Sequence, residues 1–191
     1  MPHVTFECYH GASATNANAI VRSQSIRPSK GRDHWYGDGV YFFIHGVTDA
    51  LENAEKWANV GSWNNHRRCL TYLQYGVVQA KVTTLAERVF DLRLKKNLTD
   101  FERYKAVVVG ILGATKKSIA DYRDSMVFDL LAKECDLGVF IGDQCVLLTP
   151  EERRMKMISR IPNVTMLCAR THKDVSISDL TIVAKGGVSN D

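Results

Sequence analysis

Two segments of the chain bring together residue types that can hold a polar, aromatic ligand. The first, Tyr9-His10-Gly11-Ala12-Ser13, offers an imidazole, a glycine and a hydroxyl at the end of an alternating apolar and polar stretch. The second, Trp35 to Phe43, leads through two glycines into an aromatic run. Imidazole and hydroxyl groups hydrogen-bond a ligand, glycine lets the backbone approach it, and aromatic rings stack on it. Taken singly, a histidine at a strand end is more often structural, and such an aromatic run is more often plain core.

The order of these segments resembles the ADP-ribosyltransferase superfamily, on the side that includes the poly(ADP-ribose) polymerases and related bacterial and phage transferases. Those proteins show a strand ending in a His-Gly-Thr/Ser turn, then a helix, a polar loop and a Gly-x-Gly-(Ile/Val)-Tyr-Phe strand. Here His10-Gly11 and Gly37-Asp38-Gly39-Val40-Tyr41-Phe42 stand in those places. Two later pieces, Asp136 to Gly142 and Leu167-Cys168-Ala169-Arg170, are similar to a bacterial branch.

The resemblance implies a site for NAD. His10 would donate to a ribose hydroxyl, and the backbone of Gly11 would approach the nicotinamide amide. Ala12 stands where Ser or Thr is usual, so Ser13 becomes the candidate hydroxyl, displaced by one place. Tyr41 would form an aromatic wall against the nicotinamide ring.

Other residues near the two motifs extend this site. Gly39, with Gly37, would let the polar loop turn tightly into its strand. Tyr36 and Trp57 are candidates to stack on adenine or nicotinamide, as is Trp35, although Trp57 also falls on the apolar face of its helix, a common core position. One of three nearby arginines would bind the pyrophosphate: Arg22, Arg27 or Arg32.

The third catalytic position departs from the family. The superfamily commonly carries a glutamate on a late strand, where it steadies the oxocarbenium-like transition state of glycosyl transfer. The candidate strand Val164 to Cys168 contains no carboxylate, and Met166 or Thr165 occupies the aligned position. A loop carboxylate is the alternative, and the residues weighed for that role are Glu151, Glu152, Glu134 and Asp143. On this analogy, transfer of single ADP-ribose units is favoured over chain elongation.

The elements that position these residues follow from their periodicity. Alternating or β-branched stretches predict strands, and helical spacing with capping residues predicts helices. Strands are predicted at Val4–Tyr9, Val40–Ile44, Val77–Val82, Arg88–Leu92, Leu137–Ile141, Cys145–Leu148, Val164–Ala169 and Leu180–Val183. Helices are predicted to begin near Thr15 or Asn16, at Thr48-Asp49, at the capping box Thr99-Asp100-Phe101-Glu102 and at Ser118.

The mixed order of these elements favours an α+β fold in one domain spanning residues 1–191. The resemblance refines this to an ADP-ribosyltransferase-like split, mostly antiparallel β-sheet with flanking helices around an NAD cleft. No GxGxxG or P-loop occurs, so the common phosphate-binding glycine loops are absent from the sequence.

Composition narrows the class further. Hydrophobic residues make up 45% and charged residues 24%, which excludes a disordered or collagen-like chain. Lys plus Arg is 25 against 21 for Asp plus Glu, and this net charge of +4 is compatible with a nucleotide or nucleic-acid partner. Five scattered cysteines predict reduced thiols in a cytoplasmic protein, with no metal site. The sequence has no apolar run long enough for a membrane span, so no membrane partner is expected.

Together these features predict an NAD-dependent mono-ADP-ribosyltransferase acting on a macromolecular acceptor, either protein or nucleic acid. A toxin, defence factor or phage effector would suit such a chain, and an inhibitory partner protein would suit a toxin. Three alternatives stay open: a catalytically degenerate module that binds NAD or ADP-ribose, an NAD glycohydrolase, and a basic nucleic-acid-binding domain without NAD chemistry.

Overall fold

The computed structural model describes residues 2–31, 34–64, 66–115, 118–157 and 159–188, and it has an α+β architecture. Its strands are β1 (His3–Ser13), β2 (Val40–Ile44), β3 (Trp63–Asn64), β4 (Cys69–Leu70), β5 (Gln74–Leu85), β6 (Val89–Asp91), β7 (Val139–Gln144), β8 (Val164–Ala169) and β9 (Ser176–Gly187). Its helices are α1 (Ala14–Ser23), α2 (Ala50–Gly61), α3 (Lys95–Ala114), α4 (Asp124–Glu134) and α5 (Pro150–Met155).

Seven strands form one sheet in the order β6-β7-β8-β2-β1-β5-β9, and β3 pairs with β4 separately. All neighbours in the large sheet are antiparallel except β6 and β7. Strand β1 is in register with β5 along its whole length, and β2 with β8 along its whole length. Between β1 and β2 the register consists of one pair, Tyr9 with Phe43. The sheet is therefore mostly antiparallel, with two blocks that meet at a narrow contact.

The predicted strand Val40–Ile44 is confirmed at both ends, and its alternation explains how the sheet is covered. Phe42 and Phe43 are both buried, but they pack in different core clusters on opposite faces of the sheet. Helix α2 also begins where predicted, because the Asp49 carboxylate accepts a hydrogen bond from the Glu52 amide at 2.8 Å. These two elements place the residues around Tyr41 and Trp57.

Two predicted helix starts are wrong. Helix α3 begins at Lys95, one turn before the expected capping box, and the Thr99 hydroxyl donates back to the Lys95 carbonyl within the helix. Ser118 precedes a short 3₁₀ turn at Ile119–Asp121, and helix α4 begins at Asp124. In both places a plausible cap lies close to, but not at, the position where the chain enters its helix.

The predicted strand Cys145–Leu148 is also wrong, because a side chain takes the place of a strand partner. The Asn163 amide accepts from the Val146 N–H and donates to the Val146 carbonyl, both at 2.8 Å. These bonds satisfy the backbone N–H and carbonyl of Val146 outside the sheet.

Within the described ranges, no helix combines the length and hydropathy needed to cross a lipid bilayer.

Candidate active site at the split of the sheet

A cavity of about 300 Å³ lies beside the split between β1 and β2, and is called here the aromatic cavity. It brings together five of the predicted site residues: His10, Gly11, Tyr41, Trp57 and Met166. Trp35, proposed from sequence as a stacking residue, lines it too. Sequence reasoning missed three further lining residues: Ser29, His34 and Phe43.

A larger cavity of about 700 Å³ lies on the α1 side of the same split, and is called here the arginine cavity. His10 lines both cavities, so they meet at this side chain. Ala12 belongs to the arginine cavity rather than to the aromatic one. Arg22 and Arg27 line it as well, while Arg32 lies outside the described residues. Two of the arginines expected near a pyrophosphate therefore share a cavity next to His10.

His10 is held by a hydrogen bond that fixes its tautomer. Its Nδ1 lies 2.9 Å from the Tyr41 carbonyl oxygen, and since a carbonyl only accepts, Nδ1 carries the proton. Burial lowers the pKa of His10 below its ordinary value of 6.5, against the opposing effect of this bond. The imidazole is thus neutral at pH 7, and its Nε2 is an acceptor. The expected donor role is corrected: His10 would accept a hydrogen bond from a ribose hydroxyl.

Tyr41 is fixed in the cavity wall by both hydrogen bonds of its hydroxyl. The hydroxyl donates to the Gly37 carbonyl at 2.7 Å and accepts from the Tyr36 amide at 2.9 Å. The Tyr36 ring stacks behind it, with centroids 6.2 Å apart and planes at 13°. Burial raises the pKa of the Tyr41 phenol far above its usual range, so it has no role as a base. What Tyr41 offers a ligand is its ring face.

Trp57 is held between two neighbours on different elements. Its ring packs edge-on to Phe43, with centroids 6.4 Å apart, and the Arg153 guanidinium carbon lies 4.9 Å from its ring centroid. Arg153 is itself anchored, because Nε donates to the Leu147 carbonyl at 3.1 Å and a terminal nitrogen to the Val60 carbonyl at 2.9 Å. Burial lowers the pKa of Arg153, but an arginine remains cationic at pH 7. Trp57 therefore packs against the core and also lines the aromatic cavity.

Three predicted binding residues do not line the aromatic cavity and have structural roles. Ser13 caps α1 by accepting from the Asn16 amide at 3.2 Å. Tyr36 is fully buried, and its hydroxyl accepts from the Gln144 amide at 2.9 Å. A Cβ at Gly39 would lie 2.5 Å from the Cys168 sulfur, so this glycine is required by packing against β8. In the structure these three residues support α1, the Tyr41 wall and β2, and their predicted ligand contacts stay a prediction.

Gly11 lines the aromatic cavity, yet its lack of a side chain is required by a helix. A Cβ there would overlap the backbone oxygen of Ala54 and lie 3.1 Å from the Ala58 Cβ. Helix α2 thus packs directly on the β1 backbone, which brings Trp57 close to His10.

The predicted carboxylate alternatives do not reach the cavity. Met166 lines it, and the described lining residues include no Asp or Glu. The Glu152 carboxylate completes the capping box of α5, accepting from the amides of Leu148 and Thr149 at 2.8 and 3.0 Å. Asp143 accepts from the buried Thr165 hydroxyl at 2.7 Å. Neither Glu151, on α5, nor Glu134, at the end of α4, lines the cavity.

Of the three missed residues, Phe43 lies on β2, and Ser29 and His34 come from the polar loop between α1 and β2, which folds back onto the start of β2. Ser29 and Gly39 exchange backbone hydrogen bonds of 2.8 and 3.1 Å, and this bridge brings the loop over the cavity. The His34 ring then lies 5.6 Å from the Tyr41 ring, centroid to centroid. The glycine pair before β2 indicates this turn, but no local feature of the sequence shows which loop residues then line the cavity.

In the described part of the chain, no group of three or more His, Cys, Asp or Glu side chains is placed to hold a metal ion.

Comparison with known proteins adds one distant similarity. No protein family model matches the chain. The chain is 25% identical over 189 residues to an uncharacterized protein, MJ0359, of the archaeon Methanocaldococcus jannaschii. The alignment covers 97% of this chain and 84% of the archaeal protein.

Proposed function

We propose that the protein is an NAD-dependent mono-ADP-ribosyltransferase. The observation that carries the proposal is the position of His10, whose neutral imidazole lies where an aromatic-walled cavity meets one lined by two arginines. NAD has this bipartite character: a nicotinamide ring on one side and an adenosine diphosphate on the other. The resemblance of the two sequence motifs to ADP-ribosyltransferases supports the same assignment.

Each cavity suits one half of the dinucleotide. In the aromatic cavity, the faces of Tyr41 and Trp57 would pack against the cationic nicotinamide ring. In the arginine cavity, Arg22 and Arg27 would bind the pyrophosphate, since guanidinium groups favour phosphate oxygens. Between them, His10 Nε2 would accept a hydrogen bond from a ribose hydroxyl and so fix the sugar whose bond is broken.

The bond broken joins the ribose C1′ to the nicotinamide nitrogen. The electron pair leaves with nicotinamide, and positive charge develops on the ribose as in other glycosyl transfers. With Met166 in place of a glutamate, the ring faces of Tyr41 and Trp57 and the neutral His10 are the groups able to meet that charge. Such a site suits transfer of single ADP-ribose units better than repeated elongation.

The lack of a carboxylate among the described lining residues favours a second candidate function. A module with the same cavities would bind NAD or ADP-ribose and leave the glycosidic bond intact. The two candidates share the binding site and differ only in nicotinamide release.

The test is to measure NAD binding and NAD cleavage separately on the purified chain. Thermal unfolding is followed with and without NAD, and nicotinamide release and label transfer are followed with labelled NAD and cell extract. At a hundredfold excess over Kd, a ligand stabilises by about 2.7 kcal/mol, or roughly 5–10 °C for a chain of this size. The His10→Ala variant should lose this shift and all transfer. His66→Ala is the control, because His66 is exposed on the loop between β3 and β4.

Each result selects one conclusion. Labelled macromolecule that depends on His10 supports the transferase. A His10-dependent shift without nicotinamide release selects the binding module. Release of nicotinamide without label selects a glycohydrolase. If NAD causes no shift and no turnover, the NAD site is wrong.

A further inference from the structure

A second cavity, of about 310 Å³, lies next to the aromatic cavity, between the polar loop, α3 and the start of α4. It is called here the α3–α4 cavity. His34 and Trp35 line both cavities and so form their common wall. A group bound in the α3–α4 cavity would therefore lie next to the nicotinamide end of an NAD bound in the aromatic cavity.

The inner walls of the α3–α4 cavity are aromatic and aliphatic. Phe128 is 2% exposed and is fixed by contacts with Phe101 and Tyr36, at centroid distances of 5.1 and 5.0 Å. Leu92 and Leu98 extend this apolar lining. Above this buried floor, Trp35 and Leu98 are 36% and 50% exposed and offer the apolar surface on which a flat ring can lie.

The polar groups of the same cavity are also held in place. The Gln144 amide donates to the Tyr36 hydroxyl at 2.9 Å, and the Asp124 carboxylate accepts from the Tyr122 hydroxyl at 2.6 Å. The Arg123 guanidinium donates to the Tyr122 carbonyl at 2.7 Å. Among the described lining residues, the one carboxylate and the one guanidinium cancel in charge, which favours an uncharged ligand over an acidic or basic side chain. An amide, a carboxylate and a guanidinium can also hydrogen-bond the donor and acceptor edge of a heterocycle.

From this lining we propose that the α3–α4 cavity binds a nucleobase, and that this base is the acceptor of ADP-ribose. The proposal rests on the function proposed above. Bases are recognised elsewhere by stacking between apolar side chains and by hydrogen bonds to their edges. A free nucleoside and an unpaired base in a single-stranded nucleic acid both present this chemistry.

The position of His34 supplies the proton acceptor for this transfer. As nicotinamide leaves C1′ with the electron pair of the glycosidic bond, a nitrogen of the base forms a new bond to C1′. That nitrogen gives up its proton, and of the two described residues in the common wall only the His34 imidazole can accept one. The balanced products are nicotinamide, the ADP-ribosylated base and a proton on His34.

A charge placed at the mouth of the cavity tests the site without disturbing the core. Leu98 lines the cavity and is 50% exposed on α3, so Leu98→Arg should fold and obstruct base binding. Ile111 is 52% exposed on the same helix and does not line the cavity, which makes Ile111→Arg the matched control. The acceptors offered are single nucleosides, short single strands of DNA and of RNA, and a nucleic-acid-free protein extract. Transfer from labelled NAD is followed by mass spectrometry.

The expected result is label on a base, reduced about tenfold or more by Leu98→Arg and unchanged by Ile111→Arg. The NAD-induced rise in Tm should be equal in both variants. His34→Gln should slow base transfer by a larger factor than it weakens NAD binding, because the imidazole would act as the proton acceptor only in the transfer step. Label on free nucleosides or only on single strands supports the proposal and identifies the source of the base.

Label confined to protein, or base transfer that survives Leu98→Arg, overturns the proposal. The donor site is judged apart from it by the NAD-induced rise in Tm. If NAD fails to bind, the function proposed above is wrong. The base site is then tested alone, by the binding of a fluorescent single-stranded nucleic acid to the two variants. Weaker binding by Leu98→Arg than by Ile111→Arg supports a base site, and equal binding overturns it.

Discussion

The two cavities that meet at His10 are built in different ways. The walls of the aromatic cavity are fixed from behind: both hydrogen bonds of the Tyr41 hydroxyl are made inside the protein, and Arg153 packs on Trp57. The arginine cavity is more than twice as large, about 700 against 300 Å³, and its lining from α1 and the following loop includes Arg22 and Arg27. One cavity would select a ring by shape, and the other would hold phosphate by charge.

This difference can be tested by comparing the binding of NAD with that of ADP-ribose. NAD would occupy both cavities, whereas ADP-ribose lacks the nicotinamide ring and would bind mainly through the arginine cavity. Substitutions behind the aromatic walls should weaken NAD binding alone. Substitutions of the arginines should weaken NAD and ADP-ribose together.

The largest effect is expected at Gly11, where β1, α2 and the aromatic cavity meet. In Gly11→Ala the new Cβ would overlap the Ala54 oxygen, and a helix backbone cannot yield as a side chain can. We expect a loss of about 3 kcal/mol or more in the free energy of unfolding, measured by urea denaturation.

Gly110→Ala is the control for Gly11→Ala. Gly110 is exposed in the middle of α3, and a Cβ there meets nothing within 4 Å. Alanine should stabilise this helix by about 0.5–1 kcal/mol. If Gly11→Ala were as stable as the natural chain, α2 would not be held against β1 as described.

This glycine also shows how far the sequence could lead. The motif around Gly11 predicted a close approach of backbone to ligand, and the close approach that requires glycine is instead to α2. Strand β2 and the start of α2 were predicted correctly, because alternation and capping are local properties. Tyr36 and Tyr41 belong to one aromatic stretch, and only the fold decides that Tyr41 faces the cavity while Tyr36 supports it. Ser29 and His34 reach the site because a backbone bridge joins Ser29 to Gly39. The hydrophobic periodicity of the sequence does not indicate such a bridge.

The next largest effect is expected from the arginine cavity. The double variant Arg22→Gln and Arg27→Gln removes two guanidinium groups from the proposed pyrophosphate site. We expect the Kd of both NAD and ADP-ribose to rise about tenfold or more, because charge-assisted bonds to phosphate are lost. Titration calorimetry at low and high salt should also show a weaker salt dependence.

Arg160→Gln is the matched variant for this measurement. Arg160 is exposed, lies beyond α5 and lines neither cavity. It should leave both Kd values within twofold of the natural chain. A loss of NAD affinity with ADP-ribose affinity intact in the double variant would place the pyrophosphate elsewhere.

A smaller and more selective effect is expected at Arg153. Arg153→Met removes the cation above Trp57 and leaves the indole free to change its rotamer. Such contacts contribute about 0.5–2 kcal/mol, so NAD should bind several-fold more weakly while ADP-ribose binding is unchanged. Arg153→Lys keeps the charge but not the planar guanidinium fork, so its affinity for NAD should lie between those of the natural chain and Arg153→Met. Equal weakening of NAD and ADP-ribose binding would show that Arg153 supports the whole site rather than one wall.

The smallest effect is the pH dependence that His10 imposes. Its pKa in the folded chain lies below 6.5, its ordinary value in an unfolded chain, so the unfolded state takes up the proton first as the pH falls. The stability that neutral His10 contributes is therefore complete above about pH 6.5 and is lost as the pH falls through the lowered pKa. The NAD-induced rise in Tm should follow the same course, because protonated Nε2 no longer accepts a hydrogen bond. His66→Ala should keep this profile between about pH 5 and 8, and His10→Gln should flatten it. If the stability of the natural chain did not fall below about pH 6.5 relative to that of His10→Gln, the imidazole would not be held neutral at the junction of the two cavities.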